Sequence, residues 1–364
     1  MLSPRGRIMD RRRFLTASLG ALTLPGLMRL RAAEKQSERT AIILVWLRGG
    51  CSHLDTYDPK PEAGDEYRGP FKPLATRTPG LRLTELLPRQ AALSHRFAVV
   101  RSLAHTGGGH PAGSLQVLTG DPDSADKPKA VHPDWMTVAH KLRGGAERLL
   151  PNYVGVNPIS SYDGFGIAGP GWVGPGHEPF AVLGDPSAPG FRVPNVGSPS
   201  EERLATLRER VGLRAAFDGL KREADKVRDR YERQALDLLT SPAAARAFDL
   251  SKEPARVRER YGMNAWGQQL LMARRLVEAG VEIVTSTFDG PLCGRVANWD
   301  DHAVNHHIFD ALKHRAPFFD AAVSALIEDV FDRGMDKRVM VIVTGEFGRT
   351  PRIERTASSG GGVA

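Results

Sequence analysis

Five short apolar runs, each closed by Gly, Pro, His or a polar loop, constrain this chain most. They are Ala41–Leu47, Phe97–Leu103, Asn152–Val156, Val281–Phe288 and Val339–Thr344. Near-continuous Val, Ile and Leu is how strands covered on both faces read. Phe309, Leu312, Ala316, Phe319, Val323, Leu326 and Val330 recur at three-and-four spacing. That spacing puts one apolar stripe on a long helix, which delivers the chain into the run at Val339. Gln268 to Ala279 reads as a second helix, stopped by Gly280. The span 201–239 is highly charged and predicts two surface helices with a solvated face. Between Pro151 and Pro194, dense Gly and Pro imply an irregular excursion over the sheet rather than a sheet element. The expected architecture is α/β, a mostly parallel sheet sandwiched by helices.

Hydrophobic residues make up 41% and charged residues 25% of the 364, the balance of a globular chain with a real core. The formal net charge of +8 suggests a polyanionic partner, but residues 1–33 hold seven arginines against the single acid Asp10 and supply +6 of it. No Lys/Arg block in the body is interleaved with aromatics, so nucleic acid is not an expected partner. Cys51 and Cys293 are too few for a disulfide framework, and no CxxC spacing marks structural zinc. Asp10-Arg11-Arg12-Arg13-Phe14-Leu15 precedes a weakly apolar run, Phe14 to Met28, that is broken by Gly20, Pro25 and Gly26. The pattern is that of a twin-arginine export signal over residues 1–33, followed by a single domain over 40–364. It implies the twin-arginine export machinery as a partner and a periplasmic or cell-envelope destination.

Open parallel sheets hold their ligands outside the carboxyl ends of the strands. Four polar clusters stand at or near such ends: Gly49-Gly50-Cys51-Ser52-His53-Leu54-Asp55 with Asp58, His105 to His110, Trp299-Asp300-Asp301-His302, and Gly345-Glu346-Phe347-Gly348-Arg349. Gly49 and Gly50 let main-chain amides approach an anion closely. Carboxylates and imidazoles on separate loops are what a divalent cation such as zinc, calcium or manganese needs, and Asp55, Asp300, His302 and Glu346 are the candidate ligands. A bound metal activates water or polarises a phosphoryl or sulfuryl oxygen. Ser52, His53 and Arg349 are the candidate catalytic groups, Arg349 as a bidentate oxyanion holder. Gly49, Gly50 and His110 are candidates for binding substrate. Each residue also has a plainer role: Asp55 and Asp58 as turn or cap residues, His302 as a helix cap, Glu346 as an exposed loop acid. Cys51 lacks the Cys-x-Pro/Ala-x-Arg context of a formylglycine precursor and is expected only to pack.

With the leader, these clusters resemble the domain-of-unknown-function family numbered 1501. The resemblance runs from Ala41 to Arg352 through Ser52-His53-Leu54-Asp55-Thr56-Tyr57-Asp58-Pro59-Lys60, Arg68-Gly69-Pro70-Phe71, Leu86-Leu87-Pro88, Val100-Arg101-Ser102-Leu103, Trp299-Asp300 and Gly345-Glu346-Phe347-Gly348-Arg349-Thr350-Pro351. It implies an alkaline phosphatase or sulfatase-like fold, with Ser52 near the nucleophile position and Asp300, His302 and Glu346 near metal ligands. It also implies an exported metal-dependent hydrolase of sulfate or phosphate esters, with polysaccharide as a candidate carrier of the ester. Two departures favour a non-catalytic envelope or binding protein on the same scaffold. Gly49-Gly50 stands where those enzymes place a metal-binding aspartate, and Glu346-Phe347 stands where they place Asp-His. Members continue to an Arg-Asp-His-Trp motif where this sequence ends in Ser358–Ala364, so a C-terminally incomplete domain, short of one histidine and its closing sheet edge, is expected.

Overall fold

A computed structural model describes residues 40–144, 148–194, 196, 202, 205–206, 209–210, 234–290, 298–301 and 307–354. Contacts divide the chain into two units, Met1–Thr40 and Ala41–Ala364, and the strands and helices described all belong to the second. The leader, Cys293, His302 and nearly all of 201–233 lie outside the described residues.

Five parallel strands form the central sheet: β1 (Ala41–Trp46), β2 (Tyr153–Val156), β3 (Phe180–Val182), β4 (Ile283–Thr287) and β5 (Val339–Thr344), in the order β3-β2-β4-β1-β5. Both faces of the inner strands β1, β2 and β4 are covered, which explains their unbroken apolar runs, while the edge strand β5 is only partly buried. Ile43 and Val45 point into a large core shared with helices α5 (Ala265–Glu278) and α6 (Ile308–Asp332). Leu44 and Trp46, one residue out of phase, enter a smaller core with Leu118 of α1 (His110–Thr119) and Met136 of α2 (Trp135–Arg143). Between α2 and α5 lie α3 (Pro242–Phe248) and α4 (Ala255–Tyr261).

The long-helix stripe and the Val339 strand fall where the sequence puts them. The second helix starts earlier than expected because the Asn264 side chain accepts from the Gly267 amide and caps it at Ala265. Gly280, at φ 102°, follows its end. Two expectations change. Phe97–Leu103 joins no sheet, and Val100 and Leu103 are 66% and 81% exposed. An apolar run becomes a strand only where a ladder partner exists, and here Arg101 instead ties the segment to Asp58 at 2.9 Å. Conversely, the Gly/Pro-rich excursion carries β3, an edge strand whose three residues are too few to show periodicity.

Register aligns the loops that matter. Trp46 stands opposite Thr287 on one side and Thr344 on the other, so the chain leaves β1, β4 and β5 at one level.

Candidate functional site

The β1 loop turns through Gly49 at φ 108° and Gly50 at φ 81°. The Gly49 amide donates to Glu346 Oε1 at 2.7 Å. The anion these glycines admit is therefore the protein's own carboxylate. Glu346, on the β5 loop, is buried rather than an exposed loop acid, and its Oε2 has no hydrogen-bond partner.

His110, the first residue of α1, meets Glu346 Oε1 through Nδ1 at 2.8 Å and Asp300 Oδ1 through Nε2 at 3.3 Å. Two carboxylates flanking one ring favour its doubly protonated form. Burial pulls this imidazole down, but hydrogen bonds and charge from Asp300 and Glu346 outweigh it and carry it up to about 9. Tyr162 stacks on the ring at 4.2 Å and 8°, and its hydroxyl donates to Asp300 Oδ2 at 3.1 Å. Burial, then the Asp300 carboxylate, hold that phenol well above its ordinary value. The Arg48 guanidinium lies 4.3 Å over Tyr162 and pairs with Asp289 of the β4 loop. His105 closes the group from outside. Its Nδ1 accepts from the Gly107 amide, so Nε2 carries the proton and donates to the Glu346 carbonyl at 2.5 Å.

Arg349 turns to main-chain carbonyls. Its Nε donates to the Gly50 carbonyl at 2.8 Å, and its Nη2 to the carbonyls of Gly49 and Trp299 at 3.1 and 2.8 Å. The guanidinium thus ties the β1 loop to the Trp299–Asp300 segment and stands 3.6 Å from Asp300 Oδ1. Asp301 on that segment is held bidentately by the fully buried Arg315 of α6, whose guanidinium sits 4.8 Å over Trp299.

Ser52 and Asp55 form a neighbouring pair. Ser52 Oγ donates to Asp55 Oδ2 at 2.6 Å and accepts from the Asp55 amide at 3.3 Å, a local side-chain turn three residues apart. That geometry favours the turn reading of Asp55 over a ligand in the Asp300–Glu346 group. Burial raises the Asp55 carboxyl despite the Ser52 bond. Both residues line a cleft of about 190 Å³ with Trp299, Asp301 and Arg349. His53 Nδ1 accepts weakly from the Arg349 amide at 3.4 Å, and burial lowers its pKa. Cys51 is half-buried, its thiol pushed up to about 12 by burial, which suits packing rather than nucleophilic attack.

A family model described as "Protein of unknown function (DUF1501)" matches residues 39–362. The chain belongs to this family. No curated protein and no solved structure matches it.

Of the DUF1501 motif residues, then, the structure joins Gly49, His110, Asp300 and Glu346 directly, with Gly50 and Arg349 as the tie behind them. Ser52, His53 and Asp55 stand apart, and His302 lies outside the described residues. Among the described residues no group of three His, Cys, Asp or Glu could hold a metal ion. Both His110 nitrogens already face carboxylates, whereas Glu346 Oε2 and Asp55 Oδ1 have no hydrogen-bond partner. Sequence reasoning missed Tyr162 as a member of the site; it placed Arg48 and Asp289 on strand-end loops without giving them a role. Tyr162 sits in the irregular Gly/Pro-rich stretch, where no local pattern marks it.

The Gly49 geometry makes a direct prediction. A methyl at Gly49 would overlap the Asp300 main chain, and φ there suits glycine. Gly49→Ala is expected to lower stability by roughly 2–3 kcal/mol, strain and displacement together. An unchanged melting temperature would show that the loop adjusts freely.

Proposed function

We propose that this chain is an exported hydrolase of sulfate or phosphate esters whose proton donor is His110. One observation carries the reading: a half-buried imidazole clamped by Glu346 and Asp300 at the common carboxyl level of three parallel strands. In the proposed reaction a water, giving its proton toward Asp300, adds to sulfur or phosphorus as the ester bond to the alcohol oxygen breaks. That oxygen takes the proton of His110 Nε2. Glu346, fixed by the Gly49 amide and braced by His105, keeps the ring oriented. Tyr162 holds Asp300.

A second reading, a non-catalytic envelope protein on the same scaffold, draws support from Arg349. Its guanidinium is committed to three main-chain carbonyls rather than turned to an oxyanion. A screen of aryl sulfates and aryl phosphates separates the two, run with EDTA and with added zinc, calcium or manganese beside a metal assay. Turnover of either ester class supports the hydrolase. No turnover under any condition overturns it and leaves the scaffold reading.

Export is supported by Arg11-Arg12 ahead of a weakly apolar run. No helix among the described residues is long and apolar enough to cross a membrane. The export receptor is expected to read the arginine pair itself, whose planar donor fork lysine lacks. Arg11→Lys with Arg12→Lys is therefore expected to abolish periplasmic accumulation, measured by fractionation. Normal accumulation would count against the leader.

A further inference from the structure

Phe347 follows Glu346 on the β5 loop, and two glycines leave room for its half-buried ring. One ring edge rests on the β1 loop, where a Cβ at Gly50 would stand 2.7 Å from Phe347 Cε2 and 2.9 Å from Cδ2. The opposite edge rests on α1, where a Cβ at Gly113 would stand 2.9 Å from Cδ1 and 3.2 Å from Cε1. Carbon atoms attract best at about 3.5–4.0 Å, so neither position has space for a methyl while the ring is in place. The slot exists only because both residues lack a side chain.

The two glycines stand there for different reasons. Gly50, at φ 81°, has a backbone that suits glycine in any case. Gly113 does not: it lies inside α1 with an ordinary helical backbone, its amide donating to the Gly109 carbonyl at 2.8 Å. Glycine is the poorest helix former after proline, so the helix is weakened there without any backbone need. What it gains is the approach of Phe347 and of His105, whose Cε1 would lie 3.2 Å from the same Cβ. His110 precedes Gly113 by three residues, one turn along the helix. Its imidazole lies 5.1 Å from the Phe347 ring at 36° and 4.2 Å from the stacked Tyr162. The carboxylates of Glu346 and Asp300 fix the two ring nitrogens, and the aromatic neighbours fix the plane. We propose that Phe347 is a positioning residue, whose ring, seated between Gly50 and Gly113, locks α1 to the β1 and β5 loops and holds His110 in register with Glu346 and Asp300. Its effect on turnover rests on the hydrolase reading, in which it acts through His110 and meets no reacting atom.

Phe347→Leu in the full chain tests this through two measurements, the first of which needs no substrate. Hydrogen-bonded imidazole protons give downfield proton NMR signals, and those of His110 are identified by their absence in His110→Gln. They are expected in the wild type and should vanish or broaden in Phe347→Leu while the chain stays folded. A change that only loosened packing would lower the melting temperature and leave these signals in place. The second measurement is turnover of whichever aryl ester the chain hydrolyses. There kcat is expected to fall about 10- to 100-fold, the cost of a misplaced catalytic group, with KM held within about twofold. Gly113→Ala should cause both losses from the other edge of the slot, although alanine favours the helix. It decides alone if Phe347→Leu does not fold. The double variant should be no worse than Phe347→Leu by itself, because the new methyl then meets no ring edge. Signals retained in both single variants, kcat within about threefold of wild type in both, or losses that simply add in the double variant would overturn the proposal. If no ester is turned over, the hydrolase reading falls and the NMR comparison still decides the role of Phe347.

Discussion

His110→Gln is expected to lower ester hydrolysis by about 100-fold or more, the usual contribution of a positioned acid–base group. The glutamine amide can still donate to Glu346 Oε1, where His110 Nδ1 now stands at 2.8 Å, and it can still pack on Tyr162. It cannot release a proton to a leaving oxygen. The loss should therefore fall on kcat and not on KM, because the proton moves only in the transition state. Melting temperature, measured in parallel, should shift by no more than a few degrees. A variant that keeps more than a tenth of wild-type kcat would remove His110 from the chemistry. A variant that fails to fold would instead show the clamp to be structural, and Glu346→Gln then serves as the second probe. That change keeps the Gly49 contact through the amide oxygen while removing the charge that orients the imidazole. The orphaned Glu346 Oε2 is a further reason to expect function here, since an unpaired buried carboxylate oxygen is costly to maintain for structure alone.

The second large effect concerns stability. Arg274 of α5 is fully buried. It pairs with Asp329 of α6 at 2.8 Å and with Glu253 at 2.9 Å, and donates to Glu278 at 2.6 Å. Removing one member of a buried ionic cluster costs about 3–5 kcal/mol because its partners stay behind unneutralised. The low end applies here. Asp329 keeps Arg260 at 2.9 Å, Arg333 at 3.0 Å and the Tyr261 hydroxyl at 3.0 Å, and Glu253 keeps Arg275. Arg274→Met is expected to destabilise by about 3 kcal/mol, read as a lower midpoint in urea at unchanged slope. A loss below 1 kcal/mol would mean that the remaining arginines neutralise both acids. Acid should imitate the mutation. Burial alone would raise the carboxyls of Glu253 and Asp329, but Arg274 with Arg275 at Glu253, and Arg274 with Arg333 and the Tyr261 hydroxyl at Asp329, together outweigh it and hold both below the usual carboxylate range. Their contribution is thus fully present above the unfolded value of roughly 4 and is lost as pH falls through the lower folded values. Wild-type stability should drop on acidification below about pH 4, and Arg274→Met should flatten that dependence.

Much of this molecule was legible without coordinates. The apolar runs at Ala41, Asn152 and Val281 are strands because their residues fit a sheet buried on both faces, and the run at Val339 pairs with β1 as its half-buried edge. The stripe from Phe309 to Val330 is a helix because three-and-four spacing allows little else. Gly49-Gly50 and Glu346 could be singled out because glycine pairs and acids after strands are where such sheets place their ligands. Where local pattern failed, a distant partner was the deciding quantity. Phe97–Leu103 has a strand's composition but no ladder, and Phe180–Val182 has a ladder beside β2 but too few residues to announce it.

The site itself was decided by tertiary structure. Sequence determined that carboxylates, imidazoles and arginines stand near strand ends. It could not say which of them meet, because that depends on β1 lying between β4 and β5, which are far from it along the chain. That order brings Glu346 to His110 across 236 positions and to the Gly49 amide across 297. It also turns Arg349 onto three carbonyls, and leaves Ser52 capping its own turn with Asp55. Residue chemistry is written locally. Contact in a parallel sheet is not, since every neighbouring strand arrives through a long crossover whose path the intervening residues do not encode one by one.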